Sequence, residues 1–270
     1  MVAEGVASAP MEATVQIRGG PLALEDPGTG RPFLWGHGLS SSRRRENAVG
    51  IFGWQAVLPG WRVVRWDARG HGRSGSGPGS EAYRWDALGL DLLAVADHLD
   101  LDRFVAGGAS LGCASALHAA VVAPERIEAL VLVIPPTAWE SRAAQAGMYE
   151  AGATLIEEEG LTRFVEVADE RPLPEIFADV AELMKSDPDV AEAVLPSVLR
   201  GAAASDLPAP DRLRALAQPT LILAWDTDPG HPLSTARALA ELLPNAELQV
   251  ATELAHLTGW APAVAGFLAG

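Results

Sequence analysis

The sequence holds a single cysteine, Cys113, among its 270 residues. No intrachain disulfide can form, which fits a reducing compartment and leads us to expect a cytoplasmic protein. Basic residues are also scarce. Twenty Lys and Arg stand against 35 Asp and Glu, for a net charge of −15. Nucleic acid and anionic membranes repel such a surface, so neither is expected as a partner. Lys185 is the only lysine, which, with the abundant alanine, reads as the codon bias of a GC-rich genome. No stretch reaches the ~18 consecutive apolar residues of a membrane-spanning helix. Residues 1–10 lack the basic region and apolar run of a signal peptide. No internal repeat at a fixed period is present.

What remains is the composition of an ordinary globular chain, 49% hydrophobic and 20% charged. A chain this long buries ~70–75% of its unfolded surface and needs neither disulfides nor a metal to fold. Short β-like runs fall at 14–18, 32–35, 62–66, 104–107, 129–134, 220–225 and 247–250. Several are continuously apolar, as buried parallel strands are. Helical patterns lie between them at 47–58, 83–99, 111–122 and 234–243. Leu88, Leu92, Val95 and Leu99 form the apolar stripe of a helix that faces a sheet. Pro124 and Pro244 end two of the helices. This alternation predicts an α/β fold with a mostly parallel sheet flanked by helices.

Residues 137–210 break the rhythm. They are rich in Ala and Glu, helical in pattern and interrupted by Pro172, Pro174, Pro188 and Pro196. The expectation is a helical cap inserted into a core made of 1–136 and 211–270. The segment holds 15 acidic and five basic residues, so it carries −10 of the net charge.

Gly108-Ala109-Ser110-Leu111-Gly112 is a G-x-S-x-G sequence between an apolar strand and a helix. Serine there sits on a sharp turn, with its hydroxyl above the strand ends and the positive end of a helix behind it. The plainer reading makes Ser110 a helix N-cap in a tight turn. A serine nucleophile needs a base, and the base needs an orienting acid, in the chain order Ser, acid, His. Three histidines follow Ser110. His118 lies within the next helix and is too local to reach over the serine. His231 sits in a turn and reads as a surface loop residue. His256, after the last strand and before the final helix, is the expected base. Asp226 and Asp228 both follow the strand at 220–225. Asp228, further along and just before Pro229, is the favoured acid, with Asp226 as a turn or supporting residue.

Four blocks, in order, carry a resemblance to the α/β-hydrolase superfamily over nearly the whole chain. They are Trp35-Gly36-His37-Gly38, the run Asp67-Ala68-Arg69-Gly70-His71-Gly72-Arg73-Ser74, the Ser110 elbow, and the Asp228/His256 pair. The chain most resembles helical-capped 3-oxoadipate enol-lactonases, carboxylesterases and serine haloperoxidase-like hydrolases. The resemblance implies an oxyanion hole built from the backbone N–H groups of Leu39 and Leu111, and an architectural role for 67–74. Serine at the elbow argues against the dehalogenases and epoxide hydrolases, which use aspartate there. Trp225 stands where such proteins commonly have glycine, and Ala255 precedes His256 where glycine is frequent.

The implied activity is hydrolysis of a carboxylic ester or lactone through an acyl-enzyme, without metal or cofactor. The same constellation would serve a C–C (β-diketone) hydrolase or a perhydrolase, and the same fold also carries non-catalytic small-ligand receptors. Trp139, His37 and Met148 are candidate pocket residues. Phe164, Phe177 and Met184 read mainly as the core of the cap, and Trp260 as packing for the final helix. Arg43, Arg44 and Arg45 suit either a clamp for a substrate carboxylate or ion pairs with the acidic cap, and the second reading is favoured. An acidic lid repels anions, which points to a neutral, partly apolar small-molecule substrate. A homo-oligomer is compatible with the sequence.

Overall fold

The computed structural model describes residues 11–53 and 58–270. Its centre is an eight-stranded sheet in the order β1-β2-β4-β3-β5-β6-β7-β8. The strands are β1 (Met11–Ile17), β2 (Gly20–Asp26), β3 (Arg31–Gly36), β4 (Trp61–Trp66), β5 (Phe104–Ala109), β6 (Ile127–Val133), β7 (Thr220–Trp225) and β8 (Ala246–Ala251). β2 pairs antiparallel with β1 and β4, and every pairing from β4 through to β8 is parallel. β5 and β7 are buried along their whole length. Their side chains meet helices on both faces, which is why they read as unbroken apolar runs.

β2 was not anticipated from the sequence. Gly20 and Pro21 at its start look like turn residues, yet Leu22 and Leu24 alternate into the core. The strand folds back on β1 in a tight hairpin, with Gly20 at φ +117°.

Helices cover both faces. On one side, α2 (Trp85–His98), α3 (Leu111–Val122) and two later helices, α7 (Pro210–Arg214) and α8 (Leu233–Leu242), enclose a core around Leu34, Leu92, Phe104, Leu117 and Ile222. On the other, Phe33, Trp35, Val131 and Leu223 pack under Trp260 and Val264 of the final helix, α10 (Trp260–Ala269). α1 (Arg43–Val49) begins before the expected 47–58, capped by the Ser42 hydroxyl, which accepts from Arg45 N–H. Residues 54–57 of that expected helix lie outside the described residues.

Between β6 and β7 the chain forms α4 (Arg142–Glu159), α5 (Leu161–Asp169), a 3-10 stretch at Glu175–Met184, and α6 (Leu195–Ala203). This segment has its own small core, in which Ala153, Ile156, Leu195, Val198 and Leu199 pack on Tyr83. A short helix, α9 (Leu254–Leu257), follows β8. No helix among the described residues is long and apolar enough to cross a membrane.

The arginine run is the first turn of α1, and each of its members is paired. Buried Arg43 bonds Asp67 and Glu12, Arg44 meets Asp187 and Asp189, and Arg45 meets Asp187 and donates to the carbonyls of Leu183 and Lys185. Three cations at a helix N-terminus oppose its dipole, and these carboxylates and carbonyls offset them.

Two glycines give opposite expectations for stability. A Cβ on Gly112 would lie 2.1 Å from the Gly36 carbonyl oxygen. Exposed Gly147, inside α4, has nothing within 4 Å of such a Cβ. Gly112→Ala should cost about 3 kcal/mol or more, or prevent folding. Gly147→Ala should add about 0.5–1 kcal/mol. Urea unfolding of the two variants beside wild type checks both signs.

Candidate active site

Ser110 links the end of β5 to the start of α3 at φ +51°, ψ −103°. A non-glycine residue stays in such a conformation only where its surroundings impose it. Here the Ser110 N–H donates to Val133 O and the Gly112 N–H to His37 O, both at 3.0 Å. Gly36, Gly108 and Gly112 let β3, β5 and the first turn of α3 approach within backbone contact. The serine hydroxyl is thereby held at the parallel strands' C-terminal ends.

The residue facing Ser110 is His231. Its Nε2 accepts from Ser110 Oγ at 2.8 Å, and its Nδ1–H donates to Asp228 Oδ2 at 2.8 Å. The sequence reading favoured His256, and the structure corrects it. His256 is half-exposed on α9, where Nδ1 accepts from Thr252 N–H and Nε2 lies 3.9 Å from Glu253. That ring serves the local turn and makes no contact with Ser110.

The turn chemistry explains His231. Residues 228–231 form a β-turn closed by His231 N–H on Asp228 O at 3.2 Å, with Pro229 and Gly230 at its centre. Asp228 Oδ1 also accepts the Gly230 N–H at 2.9 Å. This double closure sets the side chains of Asp228 and His231 side by side. A bond from Thr137 N–H to Gly230 O ties the turn to the exit of β6. The signal present in the sequence was Asp-Pro-Gly-His itself, a turn that couples its first and last residues.

Asp228 is the carboxylate that pairs with His231. Burial raises its carboxyl pKa, but the His231 ring, the Trp225 indole N–H and the Gly230 N–H outweigh burial and draw it down to about 2. An ionised Asp228 keeps the His231 proton on Nδ1 and leaves Nε2 as acceptor for the serine. This chain can pass a proton from Ser110 to an imidazole whose positive charge faces a carboxylate. Asp226 caps the neighbouring turn, its Oδ1 accepting the Thr227 N–H.

The loop after β3 lies across from Ser110, and a Cβ on Gly38 would sit 3.8 Å from Ser110 Cβ. Two buried histidines fix this loop reciprocally. His37 donates from Nδ1 to Gly38 O and accepts Ala68 N–H on Nε2. His71 donates from Nδ1 to Arg69 O and accepts Ser40 N–H on Nε2. Burial, with His37 beside it, lowers the His71 pKa to about 3, so the ring stays neutral and able to accept. The N–H groups of Leu39 and Leu111 make no hydrogen bond among the described residues; Leu111 opens α3, where an N–H has no partner in the helix.

A cavity of about 480 Å³ opens over Ser110, Asp228 and His231. Leu39, Phe52 and Trp225 line it from the sheet side, and Met148, Phe164, Phe177 and Met184 from the helical segment. Two candidate pocket residues lie elsewhere. His37 is buried under the loop as described. Trp139 turns away at φ +50°, its backbone N–H donating to Asp206 and its indole to Pro208 O. Three basic side chains, Arg45, Arg171 and Lys185, and three acidic ones, Glu46, Asp187 and Asp228, share the lining. Among the described residues no cluster of His, Cys, Asp and Glu could hold a metal ion.

Comparison with known proteins identifies the family to which this fold belongs. The model of the alpha/beta hydrolase fold matches residues 36–152. "3-oxoadipate enol-lactonase 2" of Acinetobacter baylyi is 27% identical over 73% of this chain and 72% of its own. "Putative carbamate hydrolase RutD" of Rhizobium rhizogenes is 30% identical over 75% of this chain and 78% of its own. Among solved structures, a hydrolase from Pseudomonas aeruginosa superposes with a TM-score of 0.80 at 23% identity, covering 96% of this chain and 98% of that one. The enol-lactonase of Burkholderia xenovorans gives 0.77 at 19% identity, with 96% and 100% covered. The eight-stranded order, the serine elbow and these relatives together make the chain a member of the α/β-hydrolase family.

Proposed function

We propose that this α/β hydrolase is a serine enzyme that cleaves a neutral carboxylic ester or lactone through an acyl-enzyme. The observation that carries the reading is the hydrogen-bonded chain Ser110–His231–Asp228 at the floor of the cavity. In the proposed reaction, Ser110 Oγ attacks the carbonyl carbon and its proton passes to His231 Nε2. The oxyanion accepts the N–H groups of Leu39 and Leu111, each worth roughly 3 kcal/mol of barrier. Collapse breaks the C–O bond, and the imidazolium protonates the departing alkoxide. His231 then takes a proton from water, which attacks the acyl group and releases Ser110. In a lactone the departing alkoxide remains part of the same molecule.

Two features favour a neutral, partly apolar substrate. The cavity walls are largely aliphatic and aromatic, and the charged groups on its lining balance in number. The arginine run offers no free clamp, because its members are engaged with carboxylates and carbonyls. Residues 137–210 act as the lid in this reading, since α4, α5 and the 3-10 stretch supply the cavity's outer wall. The single cysteine suits a cytoplasmic location.

Fluorophosphonate labelling and a panel of p-nitrophenyl esters, lactones and enol-lactones test the reading. Wild type should be labelled, and Ser110→Ala should not. Ser110→Ala and His231→Ala should each lower kcat by about 1,000-fold or more, whereas His256→Ala should stay within about threefold. An unlabelled wild type would point to a ligand-binding protein. Loss of activity in His256→Ala with His231→Ala spared would overturn the assignment of the base.

Asp228 also predicts a pH dependence of stability. Its folded pKa of about 2 lies below the ordinary 3.8. The resulting stabilisation, about 2 kcal/mol, is complete above pH ~4 and is lost as pH falls towards ~2. Asp228→Asn should lack that component, so its unfolding free energy should fall less steeply than that of wild type over this window.

A further inference from the structure

Trp225 ends β7, directly before the loop that carries Asp228. Its indole Nε1–H donates to Asp228 Oδ2 at 2.7 Å, the same oxygen that receives the His231 Nδ1–H. Oδ1 is held by two backbone N–H groups of the turn, those of Gly230 and His231. Among the described residues, Trp225 is therefore the only side chain besides His231 that fixes the rotation of this carboxylate. Among the described residues, His231 is also the one ionisable side chain bonded to Asp228.

The indole is itself tightly placed. It stacks on Trp260 with rings 4° from parallel and centroids 5.8 Å apart. Phe177, fully buried, meets it edge-on at 4.7 Å and 89°. Phe177 belongs to the 3-10 stretch of the lid segment. That stretch is pinned to the acid loop a second time, by Glu175 N–H on Thr227 Oγ1 at 2.8 Å. Thr227 sits at φ +62°, which a β-branched residue adopts only when held.

We infer that Trp225 is a positioning residue: its N–H orients Asp228 towards His231, and its packing against Phe177 makes that orientation depend on the seating of Glu175–Met184. The inference rests on the serine-hydrolase reading. A rigid, bonded carboxylate holds the imidazole in the tautomer and direction the serine needs. With the indole N–H removed, Oδ2 keeps one donor, the carboxylate turns more freely and its ionised form loses a partner. With Phe177 removed, the indole loses the contact that locates its N–H.

Trp225→Phe removes the donor and keeps an aromatic ring between Phe177 and Trp260. It should lower kcat roughly tenfold, with KM within about twofold, and should move the acid limb of the kcat profile to higher pH. Phe177→Ala should lower kcat in the same direction and have no further effect in a Trp225→Phe background. An independent readout needs no turnover: the indole N–H resonance of Trp225, identified by its loss in Trp225→Phe, should shift markedly in Asp228→Ala.

A Trp225→Phe enzyme with wild-type kcat and acid limb overturns the inference. So does a loss confined to KM, or losses from Trp225→Phe and Phe177→Ala that simply multiply. An indole resonance indifferent to Asp228→Ala refutes the hydrogen bond itself. Failure of the underlying reading looks different: wild type is not labelled by fluorophosphonate, so no catalytic role for Trp225 survives, even where the indole resonance still responds to Asp228.

Discussion

The site depends on a place where three backbone segments touch with no side chains between them. A Cβ on Gly108 would lie 2.5 Å from both Gly36 O and Gly112 C, and one on Gly112 would strike Gly36 more closely still. Because the contact is backbone on backbone, α3 starts immediately beyond the end of β5. The chain must turn within one residue, and that residue is Ser110, forced to positive φ. The strain at Ser110 is thus a consequence of close packing, offset by the surrounding strands and by the buried length of α3. The same approach brings the loop after β3 over the serine, so one constraint places the hydroxyl and the N–H groups opposite it.

A second layer holds that loop still. His37 and His71 exchange roles across the gap, each bonding a carbonyl of its own loop and accepting an N–H from the other. Neutral rings are required, since an imidazolium has no acceptor atom. Burial ensures this for His71 by making its charged form costly. Asp67 completes the joint. It accepts the Arg43 and Arg73 N–H groups and the Arg43 guanidinium, while Gly72 leaves room beside its carboxylate. Asp189, from beyond the 3-10 stretch, donates its N–H to Ser40 O and accepts Gly72 N–H, so the helical segment is sewn to both loops.

Features fixed by local pattern were legible in the sequence, and those fixed by side-chain direction were not. The apolar runs of β5 and β7 and the helix at 111–122 declare themselves, because burial on both faces or a run of alanine leaves few alternatives. Ser110 was legible because the glycines around it are a steric requirement. Asp228 was legible from its distance past β7. His231 was not, because a histidine in an Asp-Pro-Gly-His turn shows nothing of its orientation until the turn is closed by its own hydrogen bonds. Trp139 and His37 failed as pocket residues for the same reason. Their places in the chain are near the site, but Trp139 is anchored to Asp206 and Pro208, and His37 is drawn beneath its loop.

Charge shows how far a sum over sequence differs from a field at a site. The segment 137–210 holds most of the net negative charge, and on that ground alone it would repel anions. Several of its carboxylates are engaged locally: Asp187 and Asp189 by Arg44 and Arg45, Glu150 and Glu157 by Arg200, and Glu166 by Arg163. The surface facing Ser110 carries equal numbers of basic and acidic side chains. Exposed carboxylates beyond a Debye length, ~8 Å at physiological salt, are screened. The proposal of a neutral substrate therefore rests on a balanced, apolar wall and on arginines already engaged. The excess charge therefore lies away from the wall that faces Ser110.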